Sequence, residues 1–104
     1  MSTNAIQAYS RSYNKWISAD QAVEDYALFI IGLKDRRAEV ATEARTTPEE
    51  STPLLALLDG QLAASADVAR VLWTQWMIVY RQHRAFVKAQ AEERKAEGAT
   101  DGDN

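Results

Sequence analysis

The sequence predicts an all-α fold: a small antiparallel helical bundle of three long helices plus a short one, with coiled-coil-like seams. Three observations carry this expectation. Apolar residues recur by alternating steps of four and three along most of the chain, the spacing that keeps one helix face against a partner. Of 104 residues only four are glycine and two proline, and all but Gly32 stand near Pro48 to Gly60 or in the tail. No stretch alternates apolar and polar residues as a half-buried strand would.

The first helix is expected over Ala5 to Ile17. Asn4 and Gln7 have capping-box spacing, and Ile6, Tyr9, Tyr13 and Trp16 step by three, four, three. Ser18 and Gln21 repeat the capping pattern, with Ile17 and Ala22 placed as a hydrophobic staple, so a turn is expected there. The second helix then runs from Ala19 to about Arg45 on the seam Ala19, Val23, Tyr26, Ile30, Leu33, Arg37, Val40, Ala44. Its charges suit its dipole, with Asp20, Glu24 and Asp25 near the start and Arg45 at the end.

Thr46 to Pro53 reads as the main loop and holds two Thr-Pro helix starts, at Thr47-Pro48 and Thr52-Pro53. A short helical turn, Leu54 to Leu58, meets Asp59-Gly60, where a break is favoured: a helix running on from Pro53 would overshoot the second helix by about 25 Å. The final helix spans Gln61 to about Lys95. Its main seam, entered at Leu58, is Leu62, Ser65, Ala69, Leu72, Trp76, Val79, His83, Phe86, Gln90. Antiparallel packing with a break at Gly60 places Ile30 opposite Trp76 and makes Trp76 a core residue. One domain, residues 1–96, is expected, followed by a disordered acidic tail, 97–104.

A second apolar line on the final helix, Ala64, Val71, Ile78, Ala85, Ala89, lies about 110° from the main seam and needs cover that the second helix cannot give. Trp73 stands at the seam's edge, either as core or as an interface anchor. The interface candidates are therefore Val71, Trp73, Ile78, Ala85 and Ala89. Arg70, Arg81, Arg84 and Lys88 form a basic stripe opposite the main seam, with Lys95 beyond. Such a stripe can follow a phosphate backbone, although Asp67, Glu92 and Glu93 flank it and no exposed aromatics interleave.

Chemistry is sparsely represented. The absence of cysteine excludes disulfides and thiolate chemistry. His83, the single histidine, sits between Val79 and Phe86 in the seam and reads as a buried structural residue; Tyr80 three residues earlier excludes the Glu-x-x-His pattern of di-metal bundles. The pairs Asp20/Glu24 and Glu39/Glu43 lie off the seam and read as solvated surface. Arg37 within a seam calls for a carboxylate partner. No phosphate-binding glycine loop or nucleophile motif is present, so no enzyme, metal or cofactor is expected.

A net charge of −3 implies no partner by itself. The apolar runs are too short to span a bilayer and the N-terminus carries no signal pattern, so a cytoplasmic protein is expected. The expected function is protein binding: a small adaptor, inhibitor or assembly protein, of the general character common among phage-encoded proteins, acting by homodimerisation or by occluding a larger host protein. Nucleic-acid binding through the basic stripe is the alternative.

Overall fold

The computed structural model describes the backbone of residues 3–102 and the side chains of residues 3–98. Two helices account for it, α1 (Thr3–Glu43, 41 residues) and α2 (Pro48–Gly102, 55 residues). The three-long-plus-short arrangement is therefore corrected to two long helices. Asp103 and Asn104 of the acidic tail, and the side chains from Ala99 onward, lie outside the described residues.

The expected turn at Ser18 does not form. Trp16 precedes Ala19 by three residues and Ser12 precedes Trp16 by four, so the less exposed side of α1 runs without a phase break through Ala5, Ala8, Ser12, Trp16, Ala19 and Val23. Ile6, Tyr9 and Tyr13, expected to face inward, are instead substantially exposed. Gln21 does not reach back to cap: its Nε2 donates to Asp25 Oδ1 one turn ahead, at 2.8 Å.

The break at Gly60 is likewise absent, and so is a second start at Pro53. Ser51 and Leu58 are buried with Leu54, Leu55 and Leu62 between and beyond them on the same side, so the α2 seam begins before Pro53 and passes Gly60 in phase. Pro53 lies in the second turn, where it forfeits one main-chain bond. Gly60 has no positive φ and so is no left-handed cap; its helix penalty of about 1 kcal/mol is smaller than the gain from burying the leucine on either side of it. The overshoot that argued for a break does not arise, because the N-terminal half of α1 partners the C-terminal stretch of α2.

Of the two Thr-Pro sites, Thr47-Pro48 starts a helix and Thr52-Pro53 lies within it. Glu43 closes α1 by accepting from the amides of Thr46 (3.0 Å) and Thr47 (2.8 Å). The Thr47 hydroxyl also donates to the Glu43 carbonyl at 3.0 Å. Thr47 is the N-cap of α2, its carbonyl taking the Ser51 amide at 3.1 Å, and Pro48 occupies the first helical position, where a missing N–H costs nothing.

The chain divides into two compact units, residues 1–20 with 75–104 and residues 21–74. The second unit is a helical hairpin around the 44–47 turn. Val40 (0% exposed) and Leu58 (5%) are its fully enclosed apolar side chains, and they are the buried hydrophobic residues among those described. Arg37, exposed enough to keep its charge hydrated, forms a two-pronged ion pair with Asp59, its Nη2 lying 3.4 Å from Oδ2. That bond holds the Asp59 carboxyl below the usual carboxylate range and raises Arg37 further. The first unit pairs Thr3–Asp20 antiparallel to α2 from Gln75 onward, and its interior is aromatic and polar.

The expected facing of Ile30 and Trp76 is also corrected. Ile30 lines a groove with Val23, Tyr26, Ala69, Leu72 and Trp73, whereas the Trp76 indole N–H donates to Asp20 Oδ1 at 3.0 Å. The turn sits at 44–47 instead of spanning 46 to 53, and this moves the register of the pair by several residues.

Candidate functional site

Two places gather the residues that the sequence singles out. In the first unit the seam position His83 is 7% exposed, and the Ser12 hydroxyl lies 2.9 Å from its Nδ1. Trp16 stacks on the imidazole (centroids 5.6 Å apart, planes at 18°), while Tyr9 and Tyr13 approach it at 5.5 and 5.9 Å. Trp76 stacks on Tyr80 at 5.0 Å and 10°. Beside this cluster a cleft of about 660 Å³ is lined by Tyr9, Trp16, Tyr80, His83, Arg84 and Lys88 among others. Trp16 Nε1 is buried without a hydrogen-bond partner, a cost of about 1–3 kcal/mol.

The Ser12–His83 bond escaped the sequence reading, since residues 71 positions apart give no spacing signal. A hydroxyl beside an imidazole is half of a nucleophile–base arrangement. Both residues sit mid-helix, however, where each backbone N–H is already committed to the carbonyl four residues earlier. The surrounding main chain therefore offers no donors for a developing oxyanion, and the bond gives the buried ring a partner. Among the described residues no group of three or more His, Cys, Asp or Glu side chains is placed to hold a metal ion.

The basic stripe is divided between the units. In the second unit Arg70 pairs with Asp67 one turn away. In the first, Arg84 donates to the Tyr80 hydroxyl at 3.2 Å and lies 5.8 Å from the centre of that ring, while Arg81 and Lys88 are exposed.

The interface candidates are all exposed. Ile78, Ala85 and Ala89 belong to the first unit, and Val71 and Trp73 to the second. In the hairpin the pattern can be followed around both helices. At about 100° per residue, Asp25, Phe29, Gly32 and Arg36 fall within about 60° on α1, roughly 100° before the seam. Leu57, Ala64, Val68 and Val71 form a similar cluster on α2, again roughly 100° before its seam. Two antiparallel right-handed helices with facing seams present these flanks on the same side of the pair. Phe29, Leu57, Val68 and Val71 are between 44% and 62% exposed there, so one side of the hairpin is an apolar face. The opposite side carries Ala27, Ile31, Trp73 and Arg70, with Ile31 and Trp73 each 53% exposed.

Phe29, Leu57 and Val68 were not among the sequence candidates. Leu57 and Val68 continue the heptad line of Ala64 and Val71, a signal that was available; Phe29 could be assigned to this side only once the hairpin was known. No helix among the described residues is long and apolar enough to cross a membrane. No protein-family model, curated protein or solved structure matches the chain.

Proposed function

We propose that this chain is a non-enzymatic protein-interaction module that works by self-association, with the apolar side of the hairpin unit as its contact surface. The observation that carries this reading is the mismatch between what the hairpin encloses and what it displays. Two apolar side chains, Val40 and Leu58, are buried in it, while Phe29, Leu57, Val68 and Val71 remain about half exposed on one side. Two helices have one mutual seam, and a helical pair of this kind gains a proper core when a further helical layer covers it. Large apolar side chains gathered and exposed on one side are characteristic of interaction surfaces.

Nucleic-acid binding through the basic stripe has less support, because Arg70 is engaged by Asp67 and Arg84 by Tyr80. The test is the mass of the full chain by light scattering, alongside its circular dichroism. The substitution Val71→Glu should abolish association and leave helical content unchanged, because it charges an exposed position. Ile78→Glu probes the first unit in the same way. A Val71→Glu chain with the same mass and concentration dependence as an associating parent would remove the hairpin face from the reading.

A further inference from the structure

The outer flank of α1 carries a pattern that is complementary to itself. Asp25, Phe29, Gly32 and Arg36 are spaced four, three and four apart. The midpoint of Asp25 and Arg36 falls between Ile30 and Ile31, and so does the midpoint of Phe29 and Gly32. An acid is thus matched with a base, and a large ring with a glycine, about one centre. Gly32 has no intramolecular reason to lack a side chain: it is exposed, its φ is ordinary, and a Cβ built there meets nothing within 4 Å. A glycine inside a helix nevertheless costs about 1 kcal/mol relative to alanine. Phe29 is 53% exposed beside it.

On the second helix of the hairpin one pair of face residues fits the same centre. Ala64 and Val71, one small and one larger, have their midpoint between Asp67 and Val68. Arg37 pairs with Asp59, and Ile30 lines a groove with Ala69. The level between Ile30 and Ile31 on α1 therefore corresponds to about residues 65 to 69 on α2. The centre of the α1 pattern and the midpoint of Ala64 and Val71 thus lie at about one level of the hairpin, on the same side of it.

We infer that the hairpin face pairs with a second copy of this chain about a two-fold axis crossing the helices at the level of Ile30–Ile31 and Asp67–Val68, with each helix antiparallel to its counterpart. This deepens the self-association reading and rests on it. Phe29 then packs over the second copy's Gly32, Ala64 meets the second copy's Val71, and Asp25 faces the second copy's Arg36. Each contact occurs twice, as an isologous interface requires. Asp25, which now accepts from Gln21 at 2.8 Å, and Arg36, 3.3 Å from Glu39, are exposed and held only by neighbours on their own helix. They can turn to the second copy without leaving a buried charge behind.

The experiment is charge reversal read by sedimentation equilibrium on the full chain. Asp25→Arg and Arg36→Asp should each weaken dimerisation by about tenfold or more, because each places two like-charged pairs at the interface. The double variant Asp25→Arg/Arg36→Asp should recover to within about threefold of the parent dissociation constant. Gly32→Leu should abolish the dimer while circular dichroism stays helical, since the position is open in the single chain. A dimeric parent whose association is insensitive to Gly32→Leu, or whose double variant is as weak as the two single losses combined, overturns this geometry and leaves the broader reading standing. A parent that stays monomeric at high micromolar concentration overturns both.

Discussion

The two compact units are built from the same two helices, yet they solve packing differently. In the 21–74 unit the inward positions hold mainly aliphatic and small residues, with Tyr26 and Arg37 among them, and Val40, Leu58, Ser51 and Ser65 are enclosed. The Ser65 hydroxyl is satisfied locally by the Gln61 carbonyl at 2.7 Å, so this enclosed polar group makes no demand on the facing helix. In the other unit the enclosed residue is His83, and the contacts across the pair are rings and directional bonds: Ser12 to His83 and Asp20 to Trp76. Large rings cannot all fit within one seam of a two-helix pair, so Tyr9 and Tyr13 spread over its flank and stay partly wet. The aliphatic unit should therefore owe its stability to volume, and the aromatic unit to hydrogen-bond geometry.

Truncation should separate the two most sharply. Leu58→Ala, in the aliphatic unit, should cost about 2–5 kcal/mol through lost burial and the cavity left behind, visible as a large fall in the thermal midpoint. Because so little else is enclosed there, Leu58→Ala losing less than 1 kcal/mol would show that the seam at this point is not packed as described. In the aromatic unit Trp76→Phe keeps a ring against Tyr80 and removes the donor to Asp20. It should cost about 0.5–1.5 kcal/mol for the hydrogen bond, and replacing Asp20 by Asn in the same chain should add little. Full additivity of those two changes would break the assignment of that bond.

How far these differences could be read from the sequence depended on which residues carried the signal. The inward positions of α2 from Leu58 to Gln90, and of α1 from Ala19 to Ala44, follow from four-three spacing alone, because burial obeys helix period whatever the partner. The interruptions did not follow. Ser18–Gln21, Thr52–Pro53 and Gly60 are local stop or start signals worth about 1 to 3 kcal/mol each, and a seam continuing in phase on both sides of them outweighed each one. The phase itself was the better guide. Misplacing the turn then misplaced the register, and with it the partner of Trp76. The candidate surface was half legible: the heptad line through Ala64 and Val71 is in the sequence, but its union with Phe29 and Gly32 depends on the hand of an antiparallel pair.

The smallest expected effect belongs to the Arg37–Asp59 pair at the rim of the aliphatic unit. The Asp59 carboxyl is held low by its hydrogen bond to Arg37, so the unfolded chain binds the extra proton more readily and stability rises with pH in the acid range. The contribution is complete above the unfolded value of about 3.9 and is lost as the pH falls through the lower folded value. Asp59→Asn should flatten that acid dependence slightly and leave the neutral midpoint within a few degrees of the parent.

Sedimentation equilibrium of the unmodified chain from low to high micromolar concentration tests most directly whether a second copy covers the hairpin face. The expected result is a reversible monomer–dimer equilibrium, the mass rising from 11.6 kDa toward twice that value. A mass that stays at 11.6 kDa across the whole range, with full helical content, would contradict it.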